Sequence, residues 1–318
     1  MKLKPIHPFE PVTEEKIPTG SNWISQIKWD GVRVLTYYDG NEVKLFNRQL
    51  NERTAIFPEL TAIKSYSTAN SVILDGEVIA LDKEGKPSFH EVMRRDGIRR
   101  VERVNDVRKE VPIYYMIFDV VFYNGEWVND QPLRERLNLL SQIINPNDLM
   151  QLVPSQTDGQ NLFEVVRQHD LEGIICKNLN SRYTINGKND EWKKIKNYKD
   201  VIAVVGGVTY RAGIVNSMLI GLYDNHQQFF YIGSVGTGKL THSEWQQFTK
   251  MIEPLKTAQK PFANQPERQN NIQWIQPVIT VKVNYIEWPE GHSLRQPSIQ
   301  AFVDQAPESC KIIEEKGR

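Results

Sequence analysis

At 318 residues the chain is longer than one ordinary hydrophobic core organises, so two domains are expected. Apolar residues make up 40%, charged residues 25%, and the formal net charge is zero; this excludes a disordered tail and a surface coated with positive charge, so a polyanion would have to be met by local clusters. The two cysteines, Cys176 and Cys310, stand far apart, no run reaches the length of a membrane span and the N-terminus has no apolar leader core, so the sequence reads as a soluble cytoplasmic protein without a zinc site or disulfide framework.

In chain order, Val32 to Tyr38 is a β-rich run closed by the turn pair Asp39-Gly40, with Val43 to Phe46 as its return. Val72 to Leu81 and Ile113 to Tyr123 are further strands, closed at Lys83–Lys86 and at Asn124-Gly125. Leu133, Leu137, Leu140 and Ile144 form a helical stripe over Pro132 to Ile144, and Leu162, Val165, Val166 and His169 suggest another helix. Hairpins with helices between them predict an α+β domain of antiparallel sheets over residues 1–199. Beyond it, Val201 to Tyr210, Ser217 to Tyr223, Phe229 to Val235 and Val278 to Ile286 are strands, with one helix announced by Thr241 and Glu244 as a capping box. That set predicts a small OB-type barrel over residues 200–318, a common nucleic-acid-binding fold, with 261–271 as a surface loop.

The sharpest chemical feature is Lys28-Trp29-Asp30-Gly31-Val32-Arg33, where a lysine stands at the end of a β-stretch. Asp75-Gly76-Glu77, Phe118-Asp119, Glu172-Gly173-Ile174-Ile175-Cys176-Lys177 and Trp192-Lys193-Lys194-Ile195-Lys196 follow it in that order. Taken singly, each has a plain reading: solvated lysines, an exposed strand glutamate, a core phenylalanine. Together they supply what nucleotidyl transfer to an amine needs. A lysine attacks phosphorus only as the free amine, so neighbouring cations or desolvation must favour that form. Lys194 and Lys196, two apart on a strand, would present both ammonium groups on one face to Lys28 and to an α-phosphate. Glu77 and Glu172 would hold a divalent cation, Mg²⁺ or Mn²⁺, or a ribose hydroxyl, and Phe118 offers a flat face to a purine. Basic clusters at 94–109 and 182–199 are the candidate polyanion contacts, although acidic residues interrupt both.

This ordered set resembles the covalent nucleotidyltransferase superfamily of DNA ligases and capping guanylyltransferases, and within it the ATP-dependent ligase modules of bacterial end-joining enzymes. Phe46-Asn47-Arg48, Phe57-Pro58-Glu59-Leu60 and Pro132-Leu133-Arg134-Glu135-Arg136 add to the likeness, which covers nearly the whole chain. The resemblance implies a nucleotidyltransferase (adenylation) domain followed by an OB domain. It implies ATP as cofactor, Lys28 as the carrier of AMP, Arg33 and Glu77 at the ribose or the reacting phosphates, and Arg48 at the 5′-phosphate of a break. It also places Phe118 on adenine, Glu172 (with Glu77) on metal, and Lys194 and Lys196 on the α-phosphate. The implied partner is nicked or broken duplex DNA, with a Ku-type end-binding protein in support of a monomeric, nucleoid-associated enzyme.

The family's Arg-x-Asp-Lys element is not recognisable where it is expected; the chain there reads Phe302-Val303-Asp304-Gln305, which implies slow self-adenylylation unless Arg295 or another cation of the OB domain substitutes. The Gly233 to Lys239 match to a P-loop is read as a barrel turn near DNA backbone, because Leu240 stands where Ser or Thr would hold Mg²⁺. Competing readings are an RNA ligase, a GTP-dependent capping-type enzyme, and a non-catalytic OB-containing DNA-binding protein.

Overall fold

A computed structural model describes residues 3–236, 238–266, 271–289 and 291–312. The chain divides into two compact units, Met1–Asn197 and Tyr198–Arg318. In the first, the elements run β1 (Glu10–Thr13), β2 (Trp23–Ile27), β3 (Val32–Tyr38), β4 (Val43–Asn47), β5 (Val72–Ala80), α1 (Phe89–Asp96) and α2 (Val104–Glu110). They continue with β6 (Ile113–Tyr123), β7 (Glu126–Trp127), α3 (Leu133–Ile143), β8 (Met150–Leu152), α4 (Gly159–Gln168), β9 (Gly173–Asn178) and β10 (Lys188–Lys196).

These strands make two sheets, ordered β1-β10-β9-β2 and β4-β3-β5-β6-β7, with β8 joined to β6. Most pairings are antiparallel, as the hairpins predict; β1 with β10 and β8 with β6 are parallel. The strand period of two gives each sheet a hydrophobic face on both sides. One face of the larger sheet buries Val34, Leu74, Val78, Tyr115 and Ile117 against Leu140, Ile143 and Val92 from the helices. Its other face, with Leu35, Tyr37, Ile73 and Phe122, meets Ile24 and Trp192 of the smaller sheet. The far side of the smaller sheet, Ile174, Cys176 and Ile195, is covered by Leu162 and Val166 of α4.

The second unit contains β11 (Lys199–Arg211), β12 (Ile214–Tyr223), β13 (Phe229–Val235), α5 (His242–Met251), β14 (Lys256–Thr257), β15 (Ile272–Tyr285) and β16 (Ser298–Val303). Its sheet runs β13-β12-β11-β15-β14, and β16 also pairs with β15. Gly238 bridges to Ile299 of β16, which closes the sheet on itself into the expected OB-type barrel. Thr241 and Glu244 form the capping box of α5 in both directions.

Several elements differ from the sequence reading. α1 and α2 arise inside the basic stretch at 94–109, where Arg95 is wholly buried on Glu59 and the carbonyls of Ile56 and Val111. Arg94 is paired with Glu91 and Glu110, so charge pairing and burial, not a free basic face, account for these two arginines. β15 starts six residues before Val278, because its first half pairs with β11 and β14 before Gln276-Pro277-Val278 bulges out of register. Of the loop placed at 261–271, residues 267–270 lie outside the described residues, and Phe262 is core, stacked on Phe229 with ring centroids 4.7 Å apart.

Candidate active site

Register decides which side chains of the smaller sheet look toward the larger one. Ile24 is opposite Lys177 and Gln26 opposite Ile175 on β2–β9, while Trp192 is opposite Lys177 and Lys194 opposite Ile175 on β10–β9. Opposite residues share a face, so Lys177, Trp192 and Lys194 line the side where Ile24 and Trp192 pack on Leu35. Lys28 extends this row, its N–H donating to the Gly173 carbonyl at 2.9 Å, and Lys196 lies opposite the same glycine. On the larger sheet, Arg33 is opposite Glu77 and Leu35 opposite Asp75, which sets Arg33, Glu77 and Asp75 on the facing side.

Two glycines make this close approach possible. A Cβ on Gly31 would lie 2.2 Å from the Val78 carbonyl oxygen and 3.0 Å from the Glu77 side chain. One on Gly173, whose φ is +152°, would lie 2.2 Å from the Ile195 carbonyl oxygen. The glycines of the Lys28 and Glu172 segments are therefore steric requirements of the strands that carry those side chains.

Lys28 Nζ donates to Glu172 Oε2 at 2.6 Å, and the two side chains are 22% and 4% exposed. Glu77 lies close enough to feel Lys28 and Arg33 as attraction and Glu172 and Asp30 as repulsion. Burial is the largest influence on it and pushes its carboxyl up to about 8. The Lys194 ammonium is held below the usual lysine range, first by burial and then by the charges of Lys188, Lys28 and Arg48. Positions 28, 77, 172 and 194 thus form one electrostatic neighbourhood.

Phe118 is the second half of the site. The guanidinium of Arg33 lies 5.3 Å from its ring centroid, and the Lys177 amine 4.3 Å from the same ring and 4.1 Å from that of Trp192. Arg33 is a supporting group here: Nε and Nη2 donate to Asp75 at 2.9 and 2.6 Å, and the Tyr183 hydroxyl donates to Asp75 at 2.6 Å. Asp75 faces Asp119 across β5–β6, an arrangement tolerated because each has its own arginine. Arg136 of α3, fully buried, donates from Nε and Nη2 to Asp119 at 2.8 and 2.9 Å, which anchors the strand next to Phe118.

Lys177 is buried and its Nζ has no hydrogen-bond partner among the described residues. Burial brings its amine down to about 7, with Asp119 and Asp75 opposing that shift. The sequence reading assigned no role to Lys177, Asp75, Tyr183 or Arg136. For Lys177 the available signal was its parity with Trp192 across β9–β10; for Tyr183 there was none. Arg48 stands at the rim, 61% exposed, with Nε 3.6 Å from Glu10. Lys196 is half-buried and makes an interaction of its own.

In the second unit, the half-buried Phe302 packs against the barrel core, its ring centroid 5.1 Å from that of Phe248. Arg295 has a guanidinium nitrogen 3.6 Å from Glu287. The P-loop look-alike uses its backbone for the barrel, since Lys239 N–H donates to Ile299 O at 2.9 Å; Thr237 lies outside the described residues. Among the described residues, no three His, Cys, Asp or Glu side chains converge as a metal cage, and no helix is long and apolar enough to cross a membrane.

Comparison with known proteins gives matches over both units. Residues 8–196 match the model of the ATP dependent DNA ligase domain, and residues 211–304 that of the ATP dependent DNA ligase C terminal region. The chain is 30% identical over 336 residues to a DNA ligase of Thermococcus onnurineus, covering 98% of this chain and 58% of that protein. It is 33% identical over 289 residues to the multifunctional non-homologous end joining DNA repair protein LigD of Mycobacterium tuberculosis, covering 87% of this chain and 36% of that protein. The crystal structure of the ligase domain from M. tuberculosis LigD superposes with a TM-score of 0.53 at 26% identity, covering 96% of this chain and 98% of that one. The chain spans about 58% of the length of the first curated relatives it matches.

Proposed function

The chain belongs to the ATP-dependent DNA ligase family, and on that premise we propose that it joins 3′-hydroxyl and 5′-phosphate ends of DNA through a lysyl-AMP. The observation that carries this reading is the 2.6 Å contact of Lys28 with Glu172, set in a wall completed by Glu77, Lys194 and Phe118. Lys28 Nζ, freed of its proton, attacks the α-phosphorus of ATP; the N–P bond forms as the bond to pyrophosphate breaks. AMP then passes to a DNA 5′-phosphate, and the 3′-hydroxyl attacks that phosphate to expel AMP. Glu172 aims the amine, Lys194 and Lys196 neutralise the α-phosphate, and Phe118 seats the base. Positioning and charge neutralisation dominate such transfers.

A divalent cation fits Glu77 and Glu172, whose negative charges, once both are ionised, repel each other beside Lys28. Mg²⁺ is commonly held by one or two carboxylates with substrate phosphates completing its shell. When bound, it would offset charge on the departing pyrophosphate. Phe302 packed on Phe248, in place of a cation, supports slow self-adenylylation relative to the later steps. Because one relative is an end-joining protein, the proposed physiological setting is double-strand end repair with a Ku-type partner.

Nick-sealing assays with DNA, RNA and hybrid strands, run with ATP or GTP and Mg²⁺, test the reading. Sealing of DNA strands with ATP is expected. GTP dependence, or sealing of RNA alone, would shift the chain to the capping or RNA-joining readings. No sealing of either intact or pre-adenylylated nicks would remove joining altogether.

A further inference from the structure

Consecutive carbonyls hold the segment that carries Glu172. The Gly173 carbonyl accepts the Lys28 N–H at 2.9 Å, and the Glu172 carbonyl accepts the Asn197 N–H at 2.9 Å. The Leu171 carbonyl accepts from the side-chain amide of the same Asn197, Nδ2, at 3.1 Å. The first two bonds only continue the sheet, since Ile27 is opposite Ile174 on β2–β9 and Lys196 opposite Gly173 on β10–β9. Any residue but proline would make them. The third needs a side-chain donor, and it reaches a turn outside the sheet, where Asp170 has φ +54° and the Leu171 N–H donates to Val166 O in the last turn of α4. Asn197, half-buried and one residue past β10, therefore steadies the N-terminal side of Glu172, as the ladders do its C-terminal side. Between them, the 4% exposed Glu172 side chain holds Lys28 Nζ at 2.6 Å.

We propose that Asn197 is a positioning residue for AMP attachment: its amide fixes the Leu171–Glu172 peptide, and through it the direction in which Glu172 presents its carboxylate to the Lys28 amine. The inference rests on the lysyl-AMP reading and adds to it a residue that acts through Glu172. A turn in the peptide at Leu171 swings the Glu172 carboxylate, which sits at the end of the side chain, by more than it moves the backbone. A misplacement of about 1 Å at a reacting group costs about a hundredfold in rate, so losing the amide while both ladder bonds remain should cost about tenfold.

The test is single-turnover AMP attachment to the full chain from α-labelled ATP with Mg²⁺, at a temperature below the melting of every variant. Asn197→Asp keeps the size of the side chain and the backbone N–H, but turns the donor into an acceptor facing the Leu171 carbonyl. It is expected to lower the maximal rate about tenfold and leave the KM for ATP unchanged. Asn197→Gln, which keeps an amide, should lose less. An Asn197→Asp chain as fast as the wild type overturns the positioning role. So does a raised KM at an unchanged maximal rate, which would put Asn197 against the nucleotide. Equal losses in both variants that follow their melting temperatures overturn it as well, since they would leave a structural bond only. A wild type that takes up no AMP would remove the lysyl-AMP reading itself and this inference with it, whereas an active wild type matched by Asn197→Asp removes the inference alone.

Discussion

Replacing Lys177 by methionine keeps an unbranched chain one atom shorter and removes the amine between Phe118 and Trp192. In the folded chain burial brings that amine down to about 7, while in the unfolded chain it titrates at about 10.4. Between these values the unfolded chain binds the extra proton, so stability rises with pH across that window and the rise ends at the unfolded value. Integrating from pH 7 to pH 9 gives a gain of about 2 kcal/mol for the wild type that the methionine variant lacks. The two ring faces favour the ammonium and oppose part of this, which reduces the gain to about 1 kcal/mol if they contribute about 2 kcal/mol. Urea unfolding of both proteins at pH 7, 8 and 9 measures it, because other titrations cancel in the difference. A difference between the two proteins that does not vary with pH would show a hydrated ammonium at position 177 and refute the reasoning.

Gly31→Ala pushes a methyl into the Val78 carbonyl, and a loss of about 2–4 kcal/mol with weaker AMP attachment is expected from thermal melts and labelling. Arg136→Met strands the buried Asp119 carboxylate and should destabilise by about 3–5 kcal/mol in urea, whereas Arg136→Met with Asp119→Leu should recover most of that. Phe118→Ala should raise the KM for ATP about tenfold while Phe118→Leu loses less, because a stacked base contributes about 1–3 kcal/mol. Equal KM values for both variants would take adenine off this ring.

Much of the fold was legible because local pattern decided it. β3 and β6 lie where the β-branched and aromatic runs end at Asp39-Gly40 and Asn124-Gly125, and α5 begins at the Thr241–Glu244 box. What was not legible depends on partners distant in sequence. The parallel pairing of β1 with β10 joins residues far apart along the chain, so nothing near Glu10 announces Lys188. Arg95 and Arg136 look like surface charges until Glu59 and Asp119 are folded onto them. In the site, the i and i+2 spacing of Lys194 and Lys196 was readable as strand chemistry, whereas the steric need for glycine at 31 and 173 appeared only in the folded chain. The Arg33–Asp75–Tyr183 support and the burial of Lys177 were not, since they exist only once two sheets face each other.

The central claim is that Lys28 is the amine that takes AMP. Incubating the chain with ATP and Mg²⁺, digesting it and locating the added AMP by mass spectrometry tests this directly. The adduct is expected on the peptide containing Lys28 and absent from a folded Lys28→Ala variant. An adduct on a different lysine, or one that persists in that variant, would contradict the account.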